Sequence, residues 1–231
     1  NALPEMCGYV CPSEVQCEGA CLEEIFCQKP LPIRDIQLVV CRIARREGWA
    51  GVDLPAAEAG FTAAVVGAGP TGLACAIRLL EKGARVALFD KAEQGGGVPQ
   101  SIIPGERLAS AAEEIQARLE PALKAGRLTL HFGQALGREL TLEALRRDYA
   151  AVFLAVGLGE STRTVRPVPG VTDALTFLRD VKRGACRTIG ARVAVIGGGN
   201  TAIDAAVTAK RLGARDVYLV YRRSYAEMPA W

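Results

Sequence analysis

Thr62-Ala63-Ala64-Val65-Val66-Gly67-Ala68-Gly69-Pro70-Thr71-Gly72-Leu73 decides the fold. Thr62–Val66 has the length and the small, β-branched character of a buried strand. A Gly-x-Gly-x-x-Gly turn follows it and opens an Ala- and Leu-rich helix over Pro70–Lys82, closed by Gly83. Each glycine has a physical task. Gly67 permits the tight turn, Gly69 lets a pyrophosphate approach the backbone, and Gly72 lets the helix pack close on the strand. The head of that helix, with Thr71 in its first turn, offers N–H groups and positive partial charge to phosphates. Pro70 loses no hydrogen bond at this position. A second strand, Arg85–Phe89, leads to Asp90, where a carboxylate can accept from ribose hydroxyls. Strand, turn, helix and acid at these distances read as a dinucleotide site; a P-loop is excluded because no Gly-Lys-Ser/Thr follows.

The same order returns downstream. A strand at Arg192–Ile196, the turn Gly197-Gly198-Gly199-Asn200-Thr201-Ala202, a helix over Thr201–Leu212 and a strand at Asp216–Val220 repeat the logic. Ala202 stands for the third glycine, a tolerated small residue. Where a ribose acid would stand, the sequence reads Val220-Tyr221-Arg222-Arg223. Two guanidinium groups there suit the forked hydrogen bonding of a 2′-phosphate, which favours NADP(H) while leaving NAD(H) open; the plainer alternative is two solvated charges at a strand end. Two dinucleotide sites in one chain suggest a resident flavin and a nicotinamide that comes and goes.

Between these copies lie a predicted helix at Leu108–Ala125 and strands at Leu128–Phe132 and Ala151–Val156. The segment Arg166–Gly190, with two prolines near its start, reads as a crossing. Strands alternating with helices define an α/β fold with Rossmann-like parallel sheets. Asn1–Pro32 has a different texture, rich in Cys, Glu and Pro, and is followed by an amphipathic helix over Ile33–Gly48 and a connection over Gly51–Gly60. The expected domains are therefore 1–50, helical and cysteine-rich; 61–165, holding the first glycine turn; and 190–231, holding the second.

The 231 residues carry a net charge of +3, so composition gives no reason to expect nucleic acid or an acidic membrane surface as partner. The short basic run Arg42, Arg45, Arg46 reads as the solvated end of a helix. No apolar run approaches the roughly 20 residues of a membrane span. Eight cysteines, four of them within the first 21 residues, accompany an α/β pattern that needs no disulfide staples. A reducing, cytoplasmic setting with metal-binding thiolates is the expectation. Cys7-x3-Cys11-x5-Cys17-x3-Cys21 could wrap an iron–sulfur cluster or a zinc ion, and spacing alone does not choose between them. Cys75 is expected in the core and His131, the sole histidine, in a structural role. No Cys-x-x-Cys occurs, which disfavours a flavin–disulfide reductase.

Taken together, Leu3-Pro4-Glu5-x-Cys7-Gly8-x-Val10-Cys11-Pro12, Cys17-Glu18-Gly19-Ala20-Cys21, Val66 through Leu73, Ile103-Pro104-x-x-Arg107 and Gly197 through Ala202-x-Asp204 resemble one family. It is that of the NADPH-dependent glutamate synthase small subunit and the N-terminal half of dihydropyrimidine dehydrogenase. The resemblance covers nearly the whole chain. It implies a helical domain holding two 4Fe–4S clusters, then an FAD domain interrupted by an NAD(P)H domain. By position, Cys11 and Cys17 would serve one cluster and Cys21 the other, Gln37 would be an unusual ligand, and Cys7 would not ligate. Flavin binding would fall to Gly67, Gly69, Pro70, Thr71, Gly72, Asp90, Gly97, Val98, Arg107 and Gly157. The nicotinamide cofactor would be held by Gly198, Gly199, Asn200, Thr201, Arg222 and Arg223. The family's remaining cysteines and the returning halves of its nucleotide domains are expected outside Asn1–Trp231. This stretch alone is therefore expected to be inactive and without cofactor, although its parent carries several.

The resemblance implies an electron-input subunit: hydride from NAD(P)H to FAD, and electrons onward through 4Fe–4S clusters to a larger catalytic subunit or domain. Two rivals remain, an iron-free flavin reductase of disulfides or quinones, and a scaffold subunit that keeps the nucleotide folds without turnover.

Overall fold

A computed structural model describes residues 1–158 and 168–230. Trp231, the last residues of the expected 61–165 domain and the start of the expected Arg166–Gly190 crossing lie outside the described residues. Two compact units emerge. The described residues of Asn1–Gln100 and Ser110–Gly159 form the first, and those of Ser101–Ala109 and Glu160–Trp231 the second.

The first unit opens with helices α1 (Pro4–Val10), α2 (Glu23–Cys27) and α3 (Ile33–Arg46). Its sheet follows, built from β1 (Thr62–Val66), α4 (Pro70–Glu81), β2 (Arg85–Asp90), α5 (Gly97–Ser101), α6 (Ala112–Lys124), β3 (Leu128–Phe132), α7 (Leu142–Asp148) and β4 (Ala151–Leu154). Four parallel strands run in the order β3-β2-β1-β4, with Val65 opposite Leu88 on one side and Phe153 on the other. The order reverses between β1 and β4, which opens a crevice at the carboxyl ends of those strands where ligands bind in such sheets. The core lies on both faces of the sheet, with Ala64, Val66, Ala87, Phe89, Leu140 and Leu145 clustered on one. Val65, Leu88, Leu73, Ile77 and Leu80 are all essentially inaccessible to solvent, and burying one such side chain stabilises by about 1.5–3 kcal/mol.

The helical segment is anchored to this sheet domain by polar contacts. The buried Glu114 of α6 accepts from the N–H groups of Glu5 (2.8 Å) and Met6 (2.7 Å) at the head of α1. Those donors have no partner within their own helix. Burial pushes the Glu114 carboxyl above its ordinary value, and the two amide hydrogen bonds oppose that shift. Arg45 bonds Glu5 at 2.8 Å and Glu113 at 2.5 Å. Arg42 and Arg46 are exposed, as expected for a solvated helix end, Arg42 lying over the Tyr9 ring at 5.1 Å, whereas Arg45 is half-buried in these ion pairs.

The second unit holds α8 (Ala174–Lys182), β5 (Arg192–Ile196), α9 (Asn200–Arg211) and β6 (Asp216–Val220). β5 and β6 pair in parallel, Val195 opposite Leu219. Helix α8 was not expected within the crossing; Asp173 starts it by accepting from the Thr176 amide at 3.0 Å. Helix α6 begins four residues later than predicted because residues 101–109 leave the first unit and join the second. There the Lys182 ammonium donates to the carbonyls of Ile103 (2.6 Å) and Leu108 (2.8 Å), Glu106 pairs with Arg211 at 2.8 Å, and Arg107 with Asp204 at 3.0 Å. Burial lowers the Lys182 pKa. No described helix is long and apolar enough to cross a membrane.

Candidate functional site

The first glycine turn sits at the reversal of strand order. The Gly67 amide donates to the Phe89 carbonyl at 2.7 Å, and Gly67 takes φ +108°. A Cβ there would stand 2.1 Å from the Ala155 carbonyl oxygen, and one on Gly72 would stand 1.7 Å from the Gly67 oxygen. Only glycine meets both demands. Asp90 stiffens the turn: one carboxylate oxygen accepts from the Ala68 amide at 2.6 Å, the other from the Ala92 amide at 2.8 Å. Each oxygen retains a lone pair, so this bracing leaves capacity for a ribose hydroxyl.

Beyond β2 the chain folds back onto the turn. The Gly96 amide donates to the Ala68 carbonyl at 2.7 Å, and Gly97 approaches so closely that a Cβ on it would lie 2.8 Å from Gly69 Cα. The amides of Gly69, Thr71 and Gly72 find no acceptor among the described residues. A Cβ placed on Gly69 would meet nothing nearer than Gly97 Cα at 3.8 Å. Free donors, an open side and a helix head make a cradle that fits a diphosphate. The residues present therefore fit the flavin's pyrophosphate.

Of the expected flavin residues, Gly67, Gly69, Pro70, Thr71, Gly72, Asp90 and Gly97 gather in one neighbourhood. Val98 follows, half-exposed. Gly157 lies just beyond β4, whose end covers Gly67. Arg107 is tied to α9. It belongs to the second unit, where its guanidinium reaches both oxygens of Asp204 on α9, at 3.0 and 3.2 Å.

The second turn repeats the first. The Gly197 amide donates to the Val220 carbonyl at 2.9 Å, while the amides of Gly198, Gly199 and Thr201 find no acceptor among the described residues. A Cβ on Gly199 would have nothing within 4 Å. Asn200 begins α9, and Arg222 and Arg223 follow β6 as exposed side chains. These residues fit a second diphosphate. Sequence reasoning missed Tyr221, whose ring lies against Gly198, and the amide of Ala230, which donates to the Gly198 carbonyl at 3.1 Å. It also missed the return of Gly95 and Gly96, although three consecutive glycines were a visible signal.

The cysteine segment is folded around Ser13, whose carbonyl accepts from Gln16, Glu18 and Gly19. Cys17 and Gln37 are exposed, Cys11 and Cys21 half-exposed. Cys21 Sγ accepts from the Leu31 amide at 3.4 Å, the kind of bond that tunes a cluster thiolate. Among the described residues no three His, Cys, Asp or Glu side chains gather to hold a metal ion, so Cys11, Cys17, Cys21 and Gln37 do not by themselves fit a cluster. Cys75 is half-buried, with its thiol pushed up by burial. His131 stacks on Phe89 at 4.6 Å and bonds Thr129, a structural placement.

Fold and turns together define an oxidoreductase-type dinucleotide-binding protein with two Rossmann-like units. Residues 61–230 match the family model described as pyridine nucleotide-disulphide oxidoreductase, and residues 1–49 match dihydropyrimidine dehydrogenase domain II, 4Fe-4S cluster. The chain belongs to the pyridine nucleotide-disulphide oxidoreductase family. It is 32% identical to the glutamate synthase [NADPH] small chain of Azospirillum brasilense, over 99% of this chain and 50% of that one. It is 35% identical to the NADP(+)-dependent formate dehydrogenase subunit beta of Moorella thermoacetica, over 100% of this chain and 36% of that one. The chain thus spans half the length of the first relative and about a third of the second. Histamine dehydrogenase from Rhizobium sp. 4-9 shares the fold, with a TM-score of 0.53 and 22% identity over 78% of this chain and 28% of that chain.

Proposed function

We propose that the parent protein is an electron-input subunit that takes hydride from NAD(P)H onto FAD and sends electrons through 4Fe–4S clusters to a larger catalytic partner. The observation that carries this reading is the pair of glycine turns, each with unbonded amides at the head of a helix and an open side at its middle glycine. FAD would supply two-electron acceptance and one-electron release. The chain's residues bind and orient. Gly69, Thr71 and Gly72 would donate to the flavin diphosphate, with Asp90 on the ribose and Gly97, Val98 and Gly157 lining the way. Gly198, Gly199, Asn200 and Thr201 would hold the nicotinamide cofactor's diphosphate, and Arg222 and Arg223 its 2′-phosphate, so NADPH is the favoured donor. Cys11, Cys17 and Cys21, with Gln37, would contribute part of a cluster ligand set. Among the described residues the carboxylate at the first turn, Asp90, is engaged by the Ala68 and Ala92 amides, a bracing role that suits hydride transfer between cofactors.

Full-length protein should show flavin absorbance, iron with acid-labile sulfide, and NADPH-dependent dye reduction. Absence of both flavin and dye reduction sinks the reading. Flavin without iron or sulfide favours the iron-free reductase, consistent with the family's name yet disfavoured by the absence of Cys-x-x-Cys. Unaltered complex activity after Gly69 and Gly199 are replaced by bulky residues favours the scaffold.

A further inference from the structure

The two turns are built alike up to a point, and their divergence is informative. In both, the first glycine's amide bonds the carbonyl ending the next strand: Gly67 to Phe89, Gly197 to Val220. In both, the second residue's carbonyl accepts from a chain that returns after that strand: Ala68 from Gly96, Gly198 from Ala230. Residues 221–230 are therefore the second turn's counterpart of residues 90–96, which brace and line the first. Tyr221 stands where Asp90 stands. Asp90 braces its turn with a carboxylate; Tyr221 lays its ring on Gly198, where an added Cβ would come within 2.6 Å of a ring carbon.

The brace of the second return is another residue. Glu227 accepts from the Ser224 amide at 3.1 Å and from the Ser224 hydroxyl at 2.8 Å, and its carbonyl accepts from the Tyr221 hydroxyl at 3.3 Å. Those Ser224 bonds hold the Glu227 carboxyl below its usual range. Arg222 and Arg223 lie between the pinned Tyr221 and the capped Ser224. Both are exposed and form no ion pair among the described residues. Nearby carboxylates are thus not consumed by the guanidiniums; Glu227 is occupied instead by neutral Ser224 donors.

We propose that Glu227 is a positioning residue for nucleotide discrimination: by closing the 221–227 turn it presents Arg222 and Arg223, unpaired, to the 2′-phosphate of NADP(H). This rests on the reading of the two arginines given above. The probes are 2′,5′-ADP and 5′-AMP, titrated calorimetrically into the full-length protein with flavin content monitored. Wild type should prefer 2′,5′-ADP. Glu227→Ala should cut that preference about tenfold, the scale of one charge-assisted hydrogen bond, with 5′-AMP affinity and flavin content unchanged. Glu227→Gln, still an acceptor for Ser224, should restore the preference to within about twofold, and Ser224→Ala should cost about two- to threefold. Unaltered preference in Glu227→Ala, or equal weakening of both ligands, overturns the assignment to Glu227 alone. A wild type that does not prefer 2′,5′-ADP overturns the arginine reading and this one with it.

Discussion

The two glycine turns share a local design but stand on very different foundations. The first rests on four parallel strands and a core in which Val65 and Leu88 are fully buried. The second rests on two strands with no fully buried residue: β5 alternates between partly covered and open, Ile196 being 75% exposed, and Tyr218, Leu219 and Val220 of β6 are exposed. Small two-stranded sheets are marginal without further support. The backbone hydrogen-bond pattern of the turn is nevertheless shared by both. It is therefore dictated by the glycines and the helix head, within a dozen residues, while stability is supplied by whatever sheet lies beneath.

Glycine replacement strains that comparison most. Gly67→Ala would set a Cβ 2.1 Å from the Ala155 oxygen, whereas Gly197→Ala would bring its nearest contact to 3.2 Å, against Ala202. Both positions have positive φ. Gly67→Ala should cost about 3 kcal/mol or more and Gly197→Ala about 1–2 kcal/mol, measured by denaturant unfolding. Equal losses would break the claim that the first turn is wedged between strands and the second is not. Asp90→Ala comes next. It leaves the Ala68 and Ala92 amides without their acceptor, at about 1–3 kcal/mol, and flavin should be lost on dialysis sooner than in wild type.

The third test concerns the buried Glu114. Its folded pKa lies above the unfolded value, so its titration favours folding below the ordinary carboxylate range, and that advantage is lost as pH rises through the folded pKa. Glu114→Gln removes this dependence and also one of two acceptors for the head of α1. The stability gap between wild type and variant should narrow from pH 4 to pH 8, read from urea midpoints. A gap that widens would show Glu114 ionised and stabilised by its two amides. The smallest effect belongs to the second unit: Arg107→Ala removes a partly exposed ion pair with Asp204 and should cost about 0.5 kcal/mol. A loss of flavin in that variant with stability intact would support the flavin role that the resemblance implies for Arg107.

The parallel sheet and both turns were legible because glycine spacing and strand length are local properties. Asp90, Gly97 and the second-turn glycines stand in the neighbourhoods their motifs implied. The ion pair of Arg107 was not legible: a motif gives position along the chain, and its partner Asp204 lies 97 residues on. Tyr221 and Glu227 were hidden for a related reason, since their roles depend on a return to Gly198 that no periodicity announces. Helix α8 is nine residues long and sits in a stretch whose prolines suggested a plain crossing. Arg45 was misread as a surface charge because nothing in its own helix reveals Glu5 and Glu113.

The excursion of residues 101–109 has a consequence for how this molecule can be divided. These nine residues are encoded inside the first module yet are fastened to the second by Lys182, Arg211 and Asp204. A gene cut before residue 160 would strip α8 and α9 of a bound segment of backbone and leave Lys182 with two carbonyls fewer to contact. Exchanging the second unit alone would part Lys182, Arg211 and Asp204 from these partners, whereas exchanging residues 101–109 with it keeps the ties.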